Sequence, residues 1–205
     1  NSGNWDGFIA KYNGDGVCQW AEKIAGTDYD YAYSISTDVS GNVYVAGYFG
    51  SDTLTFNNGK ILSNGGCGDG FITKYNGDGV CQWAVRIAGT GYEILYSIST
   101  DANGNVYVAG DFNNTLLLNY DKKLTNTGSM DVFIAKYNSD GELEWAKKIT
   151  GSTDENANSI STDINGNVYV AGRFYSPTLT FNNGKTLSNS GNWDGFIAKY
   201  NGDGV

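Results

Sequence analysis

The seventeen residues NSGNWDGFIAKYNGDGV occur twice, letter for letter, from Asn1 and again from Asn189 to Val205. Between those copies FITKYN begins at Phe71 and FIAKYN at Phe133, so the hexapeptide starts at 8, 71, 133 and 196. The unit is therefore 62 or 63 residues long. Self-similarity at that spacing marks a repeat architecture in which each unit is one supersecondary element needing neighbours to bury its faces.

Composition says what kind of element. The 205 residues include 29 glycines, one proline, 15 tyrosines, nine phenylalanines and five tryptophans. Abundant Gly with aromatic and β-branched residues describes short strands joined by tight turns.

Four strands are expected in every unit, each bounded by turn residues. The first is AYSISTD, LYSISTD or ANSISTD, ending at Asp38, Asp101 and Asp163. A short turn carrying Gly41, Gly104 or Gly166 leads to the second, NVYVAGYF, NVYVAGDF or NVYVAGRF. The third is DGFIAKYN and its variants. It turns through GDGV or SDGE into a fourth, CQWAEKIAG, CQWAVRIAG or LEWAKKITG. Between the second and third lies TLTFNNGKILSN or TLTFNNGKTLSN, which reads as a small hairpin around Asn-Asn-Gly. The middle copy is TLLLNYDKKLTN. This hairpin is expected either to cover its own blade's edge or to present a contact surface.

One antiparallel meander cannot bury two apolar faces alone. The second strand, with Val43 and Val45 beside Tyr44 and Ala46, is apolar on both sides, as in a sheet sandwiched between others. Trp20, Trp83 and Trp145 of the fourth strand are expected to fill the gaps between sheets. Radially stacked meanders make a β-propeller. The fold expected is all-β, about three and a quarter blades. It divides into a partial blade over 1–25, blades over 26–88 and 89–150, and a partial blade over 151–205. Three blades leave open edges that invite pairing with another chain.

The pattern F-[IV]-A-K-[YL], D-x-x-G, Trp strand, then D-x-x-G-N-V-Y-V-[AT]-G resembles the bacterial SBBP β-propeller repeat family. It fits all three units, and the inserted hairpins lie outside it. The resemblance implies an exported protein, extracellular or on the bacterial surface. The Asx-Gly-rich turn before Trp is similar to the structural Asp-box turn of other propellers.

Several chemistries fall away. The chain has no His, which removes Ser-His and Cys-His pairs, and its glycines lie in hairpin turns rather than in a phosphate-binding loop. With 13 basic and 22 acidic residues, net −9, nucleic acid and anionic membranes are repelled. No 18-residue apolar run exists to span a bilayer as a helix. Cys18 and Cys81 share a repeat position with Leu143, so they read as packed apolar residues, and Cys67 has no Cys counterpart.

Two sets of candidates remain. Asp38, Asp101 and Asp163 hold their turns through side-chain-to-backbone bonds, or ligate calcium, the one cofactor considered. On the opposite face Asp30, Glu93 and Glu155 recur beside Tyr29, Tyr92 and Asp154. Repeated carboxylates next to aromatic rings could hold a sugar. The expectation is a non-enzymatic, self-associating structural module, part of a longer array or filament; the alternative is a lectin-like module binding glycans on the hairpin face.

Overall fold

The computed structural model describes residues 4–118 and 122–205. Asn119, Tyr120 and Asp121, in the middle copy TLLLNYDKKLTN, and the first three residues lie outside them. Every element in the described residues is a strand. Two strands come first, β1 (Gly7–Tyr12) and β2 (Cys18–Ile24). A complete blade follows: β3 (Asp30–Thr37), β4 (Val43–Phe49), the hairpin β5 (Thr53–Thr55) and β6 (Ile61–Ser63), then β7 (Asp69–Tyr75) and β8 (Cys81–Gly89). The next blade has β9 (Glu93–Thr100), β10 (Val106–Phe112), hairpin β11 (Thr115–Leu117) and β12 (Lys123–Thr125), β13 (Asp131–Tyr137) and β14 (Leu143–Ile149). The last has β15 (Glu155–Thr162), β16 (Val168–Phe174), hairpin β17 (Thr178–Thr180) and β18 (Thr186–Ser188), and β19 (Asp194–Tyr200).

Each blade is the antiparallel meander the repeat dictates, with order β3-β4-β7-β8 in one and β9-β10-β13-β14 in the next. The turn between first and second strands depends on glycine. Gly41, Gly104 and Gly166 sit at φ of 78°, 77° and 76°, a region a side chain disfavours. The second strand is buried on both faces in β4 and in β10, where every residue is buried, whereas in β16 Tyr169 and Arg173 are exposed.

The cores lie between blades rather than within them. Tyr44, Ala46 and Ile72 of one blade pack on Val106, Val108, Phe112, Phe133 and Tyr137 of the next. Tyr107, Ala109 and Ile134 meet Val168, Val170, Phe174 and Phe196 in the same way. Each Trp spans a seam: the indole N–H of Trp20, Trp83 and Trp145 donates to the carbonyls of Gly77, Ser139 and Gly202 on the following blade, at 3.0, 3.0 and 2.9 Å.

The inserted hairpin does something other than cover its own blade's edge. β11 pairs with β8 of the preceding blade, Leu116 opposite Gly89 and Leu117 opposite Ala88, extending that sheet to six strands. Thr180 and Thr150 repeat the contact one blade later, each amide bonding the other's carbonyl. Hairpin tips are also tied to their own blade: Asn57 accepts from the Cys81 amide at 2.8 Å and donates to Gly79 O at 2.7 Å, and Asn182 donates to Gly204 O at 3.4 Å in the last. Leu54, Leu116 and Leu179 occupy equivalent hairpin positions, and each is buried in the seam its hairpin closes. The hairpin is thus a clasp between neighbours. Sequence could not say so, because three-residue strands carry no mark of which outer strand they will meet.

Candidate functional site

The Asp turns are saturated with hydrogen bonds. Asp38 accepts from the amides of Ser40 (2.9 Å) and Asn42 (3.0 Å), from Asn42 Nδ2 (2.7 Å) and from the Tyr44 hydroxyl (2.9 Å). Asp101 and Asp163 repeat the set with Asn103, Asn105 and Tyr107, and with Asn165, Asn167 and Tyr169. Burial pushes the Asp38 carboxyl up, but the donors from Asn42, Tyr44 and Ser40 outweigh it and hold it below the ordinary value. Four donors leave these carboxylates little to offer calcium. Among the described residues, no group of three or more His, Cys, Asp or Glu side chains could hold a metal ion.

These turns do lie on one face with the turns after the third strand. Asp38, Asn42 and Gly104 line one cleft with Lys74 and Ser139, and Lys74 Nζ donates to Ser139 O at 3.0 Å.

On the opposite face the carboxylates stand where a sugar would not reach them. Asp30, Glu93 and Glu155 are fully buried, which corrects the picture of exposed acids beside aromatic rings. Their burial comes from the neighbouring blade. Glu93 lies against Asp69, and Glu155 against Asp131, within hydrogen-bonding reach across the seam. Both Asp69 and Asp131 are themselves fully buried. Asp30 is satisfied more completely, accepting from Gly26 N at 2.6 Å and Ser51 Oγ at 2.7 Å. Burial, with the Asp69 charge adding to it, pushes Glu93 up to about 8. Glu155 rises to about 7 by burial, opposed by a bond from the Ser176 hydroxyl and reinforced by Asp131. These are acid pairs stitching blades together. Tyr29 and Tyr92 remain exposed, and the Asp154 carbonyl accepts from the Tyr175 amide at 2.9 Å.

A different group gathers on the inner strands. Tyr29, Tyr31 and Tyr33 stack in sequence, with centroids 6.2 and 5.5 Å apart, and Tyr33 meets Tyr96 of the next blade at 5.7 Å. Tyr33 and Tyr96 then line a cleft of about 280 Å³ with Asn156, Asn158 and Arg173. The repeat reading passed over this cleft, although its signal was in the letters. Where the repeats otherwise agree, YVAG-x-F reads Tyr48, Asp111 and Arg173 in successive blades.

Comparison with known proteins places the chain. The family model for SBBP, described as Beta-propeller repeat, matches residues 19–48, 82–117 and 144–173. Each match begins in the Trp strand of one blade and reaches the second strand of the next, the middle one running on through hairpin strand β11; the FIAKYN strands lie outside all three. The chain is similar to the Uncharacterized WD repeat-containing protein L264 of Acanthamoeba polyphaga mimivirus, 26% identical over 220 residues, covering 91% of this chain and 16% of that protein. It is also similar to the Regulatory protein FlaEY of Caulobacter vibrioides, 27% identical over 192 residues, covering 90% of this chain and 19% of that one. The chain spans less than a fifth of the length of these curated relatives. With its strand-by-strand meanders and seam cores, the chain is an all-β protein that carries the SBBP β-propeller repeat three times.

Proposed function

We propose that this β-propeller repeat protein is a non-enzymatic structural module that associates with further copies of itself by continuing its blade stack. The observation that carries this is a complementarity between two uncovered faces. Phe71, Phe133 and Phe196 face the preceding blade and are buried, whereas Phe8, their counterpart, is 73% exposed. Ile9, Ile72 and Ile134 face the following blade and are buried, whereas Ile197 is 77% exposed. One end therefore presents the surface that the other end's equivalents bury internally. Apolar faces of this kind mark association sites, and a head-to-tail joint that does not close gives an extended array. An extracellular or cell-surface setting is part of the same proposal, resting on the family resemblance.

Mass in solution, measured by light scattering at two concentrations a hundredfold apart, tests this. Species larger than 22 kDa that grow with concentration are expected. A 22 kDa particle at both concentrations, unfolding cooperatively, would overturn the proposal.

A further inference from the structure

The cleft on the inner strands has three properties that a merely structural surface does not need. First, its side chains are aimed there by backbone irregularities. In β3, β9 and β15 the register with the second strand slips by one residue, and the residues left unpaired are Tyr33, Tyr96 and Asn158. Such bulges re-aim a side chain away from the alternating pattern. Glycine makes the slip possible, since a Cβ on Gly110 would collide with the Ile94 carbonyl oxygen.

Second, the residues that break the repeat converge here. Tyr48 gives way to Asp111 and then Arg173, Tyr31 to Ile94 and then Asn156, and Tyr33 and Tyr96 to Asn158. A blade-forming role is served by identical residues in every unit, and one asymmetric site requires departures from them.

Third, the departures build on one another. Asp111, fully buried, accepts from the Ala157 amide at 2.8 Å and from Asn156 Nδ2 at 2.7 Å. That fixes the Asn156 amide so that its Oδ1 accepts from Arg173 Nε at 3.3 Å. The Arg173 guanidinium also lies over the Trp193 ring, 4.6 Å from its centroid. Both contacts use the Nε edge and the flat face. The terminal nitrogens have no acceptor among the described residues. The guanidinium is exposed and pre-oriented; its charge acts on the buried Asp111 carboxyl, yet it makes no direct ion pair among the described residues, and its fork matches a carboxylate.

We propose that this cleft binds a carboxylate-bearing sugar, with the Tyr33 and Tyr96 rings holding the pyranose, Arg173 its carboxylate and Asn158 a hydroxyl. Rigid aromatic rings offer apolar area with a polar tip. The Asn158 amide, unbonded among the described residues, and the tyrosine hydroxyls supply the donors and acceptors that a polyol needs. The cleft's volume falls just under the roughly 300–1,000 Å³ of drug-sized pockets, which suits a single ring. Asp111 and Asn156 are positioning residues. All of these residues belong to one chain, so the site stands apart from self-association.

Isothermal titration with D-glucuronate, D-glucose and acetate tests it. Saturable binding of one glucuronate per chain is expected, with glucose at least tenfold weaker and acetate silent. Arg173→Gln should remove the preference for glucuronate over glucose. Tyr33→Ala should weaken glucuronate about tenfold, and Tyr29→Ala, outside the cleft, should leave it unchanged. Arg173 and Tyr33 are exposed, so their variants are expected to fold, and circular dichroism with the melting temperature checks this. Absence of saturable glucuronate binding, equal binding of acetate, or an Arg173→Gln protein that binds as wild type would each overturn the proposal.

Discussion

Asp69 and Glu93 meet carboxyl to carboxyl across the seam between two consecutive blades, and solvent reaches neither. Asp69 Oδ2 is held by the Gly65 amide at 2.8 Å and by Arg86 Nε at 3.5 Å. Among the described residues, no well-formed hydrogen bond reaches Asp69 Oδ1 or either Glu93 oxygen. Two buried carboxylates in contact cannot both ionise cheaply, so the arrangement favours one shared proton.

The consequence is a stability that falls as pH rises. Glu93 has an ordinary value of 4.5 and titrates near 8 in the folded chain. Between those values the folded state keeps a proton that the unfolded state has lost. The contribution is therefore full below about pH 4.5 and is lost as pH rises through 8, at up to about 1.4 kcal/mol per pH unit. Melting temperature should drop from pH 5 to pH 8. Glu93→Gln, whose amide can donate to Asp69 without a proton to lose, should flatten that slope and melt higher than wild type at pH 8.

The hairpin clasp gives a paired prediction. Leu116 is wholly buried in the seam, whereas Leu117 beside it is exposed. Leu116→Ala should cost about 2–5 kcal/mol in urea unfolding, the range for a buried leucine that leaves a cavity. Leu117→Ala should cost less than about 1 kcal/mol. Equal effects would mean that the hairpin does not hold the blades together.

The Asp turns predict both a mutation and a null response to metal. Asp101→Ala removes the acceptor of four hydrogen bonds and leaves the half-buried Asn105 amide unpaired. A loss of about 2–4 kcal/mol is expected, at roughly 1 kcal/mol per bond. With those oxygens already engaged, a chelator should leave the melting temperature unchanged; a drop of several degrees would reveal a bound ion by linkage.

Self-association should respond to a charge on the uncovered face. Ile197→Glu places a carboxylate where the equivalent Ile72 and Ile134 are buried. The variant should remain at 22 kDa at concentrations where the parent chain is larger, with its far-ultraviolet spectrum retained.

How far the letters carried can be seen at particular residues. The alternation in NVYVAG, with Tyr44 and Ala46 on one side and Val43 and Val45 on the other, predicted a strand covered on both faces, and β4 is so covered. Gly41, Gly104 and Gly166 lie in the tight turns expected of them. Glu93 misled, because a charged residue beside a tyrosine in a loop reads as surface. Its cover is Asp69, 24 positions earlier and in the preceding blade.

Sequence alone determined the period, the four strands of each blade and the turns that join them. Those depend on side-chain alternation and on backbone angles a few residues apart. Tertiary structure decided which outer strand each hairpin would clasp, that Asp30, Glu93 and Glu155 would be buried, and that Tyr33, Tyr96 and Arg173 would share a cleft. Each of these joins residues from different blades, up to 140 positions apart in the case of Tyr33 and Arg173. Local propensity carries no information about such distances; the stacking of blades does.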